Sequence, residues 1–160
     1  MEKDSERMKK LNELIQVCKD GRSGFWQAAL EVESKSSREM LRKVAFQRNA
    51  FAFDLRDTAF QMGLRLASQG SFLGKLHRSW ISFLHQLNPH EDKVVLQECK
   101  RGEEHALNVY QDVFEKNLLP DIQRILERQF VSMIEMRDEL GTMTAKTGPM
   151  ESKGSILRLS

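Results

Sequence analysis

Long segments in which apolar residues recur every three or four positions limit most strongly how this chain can fold. Four such segments predict helices, at about Ser5 to Val32, Arg38 to Leu64, Asp92 to Glu115 and Pro120 to Leu140. The chain has three prolines. All three lie at segment boundaries, where proline does not interrupt a helix. Since no segment alternates apolar and polar residues as a strand does, the sequence predicts an all-α protein.

The connection between the second and third helices is the longest one. Residues 71–88 within it predict an extra short helix, with Ser71 as its N-cap. Four long helices with one long connection indicate a four-helix bundle with a crossover, the layout of ferritin-like folds. The helical periodicity stops after Gly141. We therefore expect a bundle domain at residues 1–143 and a flexible C-terminal tail at residues 144–160.

The charge and cysteine content argue against several protein classes. The net charge is +2, and no helix carries a basic face over several turns, so no nucleic-acid partner is expected. No apolar run approaches the roughly 18 residues of a membrane span, and the charged first ten residues do not resemble a secretory signal. Cys18 and Cys99 lie far apart and form no CxxC pair. We expect both to be reduced and buried in a cytoplasmic protein.

Three metal-ligand residue types stand side by side at Glu103, Glu104 and His105. At about 100° per residue, Glu103 lies about 40° from Cys99, on the apolar face of the third helix. Glu104 lies about 140° from Cys99, and His105 about 120° from it on the other side, so the trio cannot bind one ion together. The chain also lacks any Glu-x-x-His, which bundles with two metal ions require. The sequence therefore predicts no catalytic residue, no metal ligand and no cofactor.

Other polar residues project inward near the middles of their helices. The same projection places Arg22, Arg48, Gln129 and Arg137 on inward faces. We predict a central polar layer of Arg22, Arg48, Glu103 and Gln129, in which Glu103 accepts hydrogen bonds from Arg48 or Arg22. Such pairing is expected because a buried carboxylate without a partner is costly. Alternatively, the arginines extend along the bundle and keep their charged ends in water.

The second helix has a further apolar line, formed by Phe46, Phe53 and Phe60 at heptad spacing. It lies about 140° from the inward face, so something else must cover it. One candidate is the short helix at residues 71–88, with Trp80 packed near Phe53 or Phe60; the other is a second protomer or protein partner. The short helix carries basic residues and no acid, a pattern that would also suit an anionic membrane surface.

Several stretches resemble a known family. They are "LNELIQVCKDGRSGF", "GSFLGKLHRSW" with His77, Arg78 and Trp80, "LQECKRGEEHALNVY" and "LERQF". Over residues 10 to 143 the chain resembles small bacterial proteins that form ferritin-like four-helix bundles and are classed as a domain of unknown function. It departs from their pattern at Arg137, where the resemblance implies a histidine. The resemblance implies a fold and no reaction.

Taken together, these features favour a cytoplasmic, non-catalytic, ferritin-like bundle with a structural or protein-binding role. We expect a homo-oligomer or a protein partner, and the resemblance suggests a place in bacterial stress physiology. Two alternatives stay open. One is a metal-binding or oxidoreductase protein with a degenerate site; the other is a membrane-surface protein that uses residues 71–88.

Overall fold

Four long helices make up the part of the chain that the computed structural model describes, which is residues 2–66, 91–116 and 118–147. They are α1 (Glu2–Glu31), α2 (Lys35–Gln61), α3 (Asp92–Phe114) and α4 (Pro120–Lys146). These ranges contain no strand. The predicted all-α architecture with four long helices is therefore confirmed. The short helix expected at residues 71–88 lies outside the described residues.

The contacts between helices define the order of the bundle. α1 packs against α2 and α3, and α4 packs against the same two helices, so α2 and α3 occupy one diagonal. The end of α1 meets the start of α3, because Asp92 accepts hydrogen bonds from the backbone N–H groups of Glu33 and Ser34. Lys43, near the start of α2, pairs with Glu139, near the end of α4. These two helices therefore run in opposite directions.

It follows that α2 and α3 run in the same direction. α2 ends at the end of the bundle where α1 begins, whereas α3 begins where α1 ends. The connection from α2 to α3 therefore joins opposite ends of the bundle. An up-down-up-down bundle with short loops would place these helices antiparallel instead.

Local capping explains why α2 does not coincide with its predicted range. Ser34 caps its N-terminus by accepting a hydrogen bond from the Ser37 N–H, so the helix starts three residues before Arg38. It ends at Gln61 because Gly63 adopts a positive φ of 70°, a conformation that glycine tolerates best. The Gly63 and Leu64 N–H groups then satisfy carbonyls of the last turn.

The end of α4 differs from the prediction. The sequence predicted that the helix would stop at Leu140, before Gly141, but it continues to Lys146. Thr144 is buried, and its hydroxyl donates to the Leu140 carbonyl. Burial at this end outweighs the cost of one helical glycine, which is about 1 kcal/mol. Residues 144–146 are therefore helical, and residues 148–160 lie outside the described part of the chain.

The buried apolar side chains form two clusters along the bundle axis. One lies where α1 and α4 begin and includes Leu14, Leu55 and Leu126. The other lies where α1 and α4 end and includes Leu41, Leu96 and Leu140. Buried polar side chains from α2 and α3 separate the two.

Candidate functional site

The boundary between the two apolar clusters is unusual, because it buries an ion pair. Arg48 of α2 and Glu103 of α3 contact each other directly through Nη2 and Oε1. Their side chains are only 1% and 0% exposed. Since α2 and α3 lie on the diagonal of the bundle, this pair crosses its centre.

Neighbouring residues shape the space around Arg48. Its second terminal nitrogen donates to Gln47 Oε1 at 2.7 Å, and its guanidinium lies 5.4 Å from the centre of the Phe51 ring. Arg48 Nε and Glu103 Oε2 make no hydrogen bond to the described residues. The pair is therefore well buried but only partly satisfied, and such a pair adds little net stability while being costly to break.

Gly21 on α1 makes room for the arginine. A Cβ atom at this position would lie 3.2 Å from Arg48 Cγ and 3.4 Å from Cδ. The first of these distances is shorter than ordinary van der Waals contact. The glycine at position 21 thus allows the aliphatic part of the Arg48 side chain to lie directly against α1.

A chain of buried hydrogen bonds lies next to the ion pair. The Tyr110 hydroxyl donates to Gln129 Oε1 at 2.8 Å, and Gln129 Nε2 donates to the Phe51 carbonyl at 3.2 Å. Cys18 Sγ lies 3.1 Å from the Tyr110 oxygen. Because the tyrosine proton points to Gln129, the thiol of Cys18 is the donor in this contact. The chain links all four helices through side-chain or backbone atoms.

Burial also sets the ionisation of these groups. It raises the pKa of the Glu103 carboxyl, while the positive charges of Arg48 and Arg137 oppose that rise. Burial raises the pKa of the Cys18 thiol to about 11, and it raises the pKa values of Cys99 and Tyr110 as well. Both thiols and the phenol are therefore protonated at neutral pH. None of the three is an activated nucleophile or a base.

The structure brings together some of the polar residues predicted to meet, and separates others. Arg48 and Glu103 are paired, and Gln129 belongs to the neighbouring hydrogen-bond chain through Tyr110 and the Phe51 carbonyl. Arg22 is not part of the layer, because its side chain is exposed and donates to Asn49 on the surface of α2. Arg137 is about one-third exposed and pairs with Asp138.

Sequence reasoning missed the role of Tyr110. A helical projection places Tyr110 on the apolar face of the third helix, yet its hydroxyl organises the buried chain. The signal was present, because Tyr110 follows Glu103 by one heptad and a buried tyrosine hydroxyl needs a partner. Its partners Cys18 and Gln129 lie on other helices, so the sequence could not identify them.

The donor atoms at this centre do not fit a metal site. Helical bundles that hold two metal ions direct carboxylates and histidines inward from all four helices. Here the polar groups are a guanidinium, a carboxylate already paired with it, an amide, a phenol and a thiol. Elsewhere in the described ranges, no three His, Cys, Asp or Glu side chains come together. Glu104 and His105 are exposed.

The phenylalanines of the second apolar line lie on the outer surface of α2. Phe46, Phe53 and Phe60 are 66%, 67% and 80% exposed. Trp26 of α1 packs edge-on against Phe46, with ring centres 6.1 Å apart. The family-motif residues His77, Arg78 and Trp80 lie outside the described residues, and so does the expected contact of Trp80 with this line.

None of the four described helices is long and apolar enough to cross a bilayer. A comparison with curated proteins found no match. A family model with the description "domain of unknown function" (DUF2383) matches residues 6–116. This stretch contains the ion pair and the aromatic line of α2, and it ends before α4. Because the match covers well over half of the 160 residues, the chain belongs to the DUF2383 family.

Proposed function

We propose that this protein is a non-catalytic, ferritin-like helical bundle with a structural or protein-binding role. The ferritin-like assignment is supported by the parallel arrangement of α2 and α3, which requires one connection between opposite ends of the bundle. Up-down-up-down bundles have no such crossover. A cytoplasmic location is supported by the two cysteines, which are both free and buried.

The observation that carries the proposal is the composition of the bundle centre. Bundles of this connectivity place catalytic metals between the four helices. In this chain the same region is filled by the Arg48–Glu103 pair and by the chain from Cys18 through Tyr110 to Gln129. A fixed guanidinium next to Glu103, the one carboxylate that the described residues place at the centre, opposes the binding of a divalent cation.

The ion pair has a structural role in this proposal. Arg48 and Glu103 are on diagonal helices, which have no extensive packing interface of their own. A shift of α2 or α3 along its axis would separate the two charges in an apolar interior, at a cost of several kcal/mol. The pair therefore favours one axial alignment of α2 relative to α3.

Metal analysis tests the proposal against its main rival, a degenerate metal-binding protein. The full chain is purified without chelator, and its content of iron, manganese and zinc is measured before and after incubation with each ion and desalting. We expect far less than one ion per chain. The test variant is Glu103→Gln, at the centre. Its matched control is Glu104→Gln, on the surface of the same helix.

One tightly held transition metal per chain would contradict the proposal if Glu103→Gln abolished it and Glu104→Gln did not. Metal lost equally in both variants would indicate surface binding and would leave the non-catalytic centre in place.

A further inference from the structure

The outer surface of α1 and α2 carries a group of exposed apolar side chains, which we call the aromatic strip. It consists of Phe46, Phe53 and Phe60 on α2, together with Trp26 and Leu30 on α1. The three phenylalanines are two-thirds or more exposed, and Trp26 and Leu30 are 40% and 57% exposed. An apolar patch of this size is often a binding surface.

The area of the strip is close to what a protein dimer needs. Aromatic side chains offer roughly 150–250 Å² each, so these exposed fractions leave on the order of 500 Å² of apolar surface. A standard interface buries about 800 Å² per partner, of which about 65% is apolar in homodimers. The strip supplies that apolar share, and the polar residues along its edges can supply the rest.

The spacing of the strip is symmetric about Phe53. Phe46 precedes it by seven residues, and Phe60 follows it by seven. A two-fold axis through Phe53 would place Phe53 against the partner's Phe53 and Phe46 against the partner's Phe60. Seven-residue spacing keeps such contacts in line along two packed helices.

The residues beside the strip are compatible with the antiparallel orientation. Arg56 and Asp57 flank Phe53 on opposite sides of α2, at about −60° and +40° around the helix axis. With Phe53 on the two-fold axis, Arg56 lies near the partner's Asn49 and Asp57 lies near the partner's Ala50, so none of these positions meets a like charge. All four positions are exposed.

We infer that the protein forms a two-fold symmetric homodimer, in which α2 packs antiparallel against the partner's α2 through the aromatic strip. This inference extends the proposed protein-binding role and names a second copy of the chain as the partner. It is independent of the bundle centre, so a failure of the metal prediction can be distinguished from a failure of the dimer prediction.

The first test is the mass of the full chain in solution, measured by light scattering or sedimentation. We expect twice the chain mass of 18.6 kDa. Phe53→Glu should raise the dissociation constant of the dimer by about 100-fold or more, because both copies lose a central aromatic anchor and gain opposed charges. The control is Val131→Glu, at a residue of α4 that is 56% exposed and lies outside the strip. Circular dichroism checks that both variants remain helical.

Crosslinking with a short bismaleimide tests the geometry. Phe53→Cys should crosslink efficiently to the partner's equivalent cysteine. Phe46→Cys should not, because its counterpart lies two heptads away, about 21 Å along the helix. The double variant Phe46→Cys, Phe60→Cys should again crosslink, and Val131→Cys should not. The native thiols do not interfere, since Cys18 and Cys99 are buried.

A monomeric wild-type chain would overturn the inference. Equal crosslinking of Phe46→Cys and Phe53→Cys would overturn the antiparallel geometry. Finally, a monomer in which Phe53→Cys resists a simple maleimide would show that the chain itself covers the strip, and the second copy would be excluded as its occupant.

Discussion

At the residue scale, Glu103 and Glu104 have the same chemistry and opposite environments. Glu103 is fully buried against Arg48, whereas the Glu104 side chain is 52% exposed and lies 3.9 Å from Lys100. The difference follows from the 100° rotation between successive helical residues, which moves one carboxylate to the core and the next to solvent. The two residues therefore form a natural comparison of buried and exposed charge.

We predict that Glu103→Ala lowers the free energy of unfolding by about 3–5 kcal/mol, because it leaves the buried Arg48 without its acceptor. Glu103→Gln should lose less, since the amide oxygen can still accept. The control is the double variant Glu104→Ala, His105→Ala. Each of its two exposed substitutions should change the free energy of unfolding by roughly 0.5 kcal/mol at most. Urea unfolding curves measure all three. Equal small losses would show that the pair contributes nothing to stability.

Two helical glycines provide a second comparison at this scale. A Cβ at Gly21 would lie 3.2 Å from Arg48 Cγ, whereas a Cβ at Gly141 would lie 3.8 Å from Lys100 Cε, an ordinary contact. Alanine in a helix interior is favoured over glycine by about 1 kcal/mol when there is room for it. Gly141→Ala should therefore raise the free energy of unfolding by up to about 1 kcal/mol.

Gly21→Ala should lower the free energy of unfolding instead, by about 1–2 kcal/mol, because Arg48 must move and its contact with Glu103 weakens. Thermal or urea unfolding of the two variants shows whether each substitution raises or lowers the free energy of unfolding. If both alanines stabilised the protein, the close approach of Arg48 to α1 would not be required by the fold.

At the scale of helices, Asp92 connects the α1–α2 turn to the start of α3. Its two carboxylate oxygens accept hydrogen bonds from the backbone N–H groups of Glu33 and Ser34, at 2.8 and 2.9 Å. Asp92 also lies in the first turn of α3, where a negative charge interacts favourably with the helix dipole. One side chain thus holds the end of one helical hairpin against the start of the other.

We predict that Asp92→Ala lowers the free energy of unfolding by about 2 kcal/mol, because two backbone donors lose their acceptor. Asp92→Asn should retain part of this stability through its single carbonyl oxygen. The adjacent exposed Glu91 makes no side-chain capping bond, so Glu91→Ala is the control and should change stability by roughly 0.5 kcal/mol at most. A loss in Asp92→Ala no larger than in the control would rule out this link between hairpins.

At the scale of the whole molecule, the ion pair divides the core into two clusters, and each contains one cysteine. Cys18 belongs to the first cluster and Cys99 to the second. Burial raises the pKa of Cys18 to about 11, so at pH 8 its thiol is both inaccessible and protonated. The two thiols therefore report separately on the opening of each half.

We predict that neither thiol reacts with a disulfide reagent at pH 8 in the native protein, and that both become reactive over the same range of urea. The single variants Cys18→Ala and Cys99→Ala isolate the two signals, and the circular dichroism of each variant gives its own unfolding curve for comparison. A joint transition is expected because all four helices contribute to both clusters. Reaction of one thiol well before the loss of helix would show that its half opens independently.

The sequence determined the four long helices and the inward or outward direction of most of their side chains, because both depend on the rotation per residue along one helix. That is why Glu103 could be distinguished from Glu104 and His105. Caps and a positive φ at Gly63 moved the ends of α2 by a few residues, and burial of Thr144 carried α4 past Gly141.

The tertiary structure decided which inward polar groups meet. Arg22 and Arg48 both project toward the middle of the bundle in a helical projection, yet only Arg48 reaches Glu103, while Arg22 bonds to Asn49 at the surface. The outcome depends on the distances between helix axes and on the space left by Gly21, which no single helix encodes. The same is true of the contacts of Tyr110 with Cys18 and Gln129, because each joins residues on different helices.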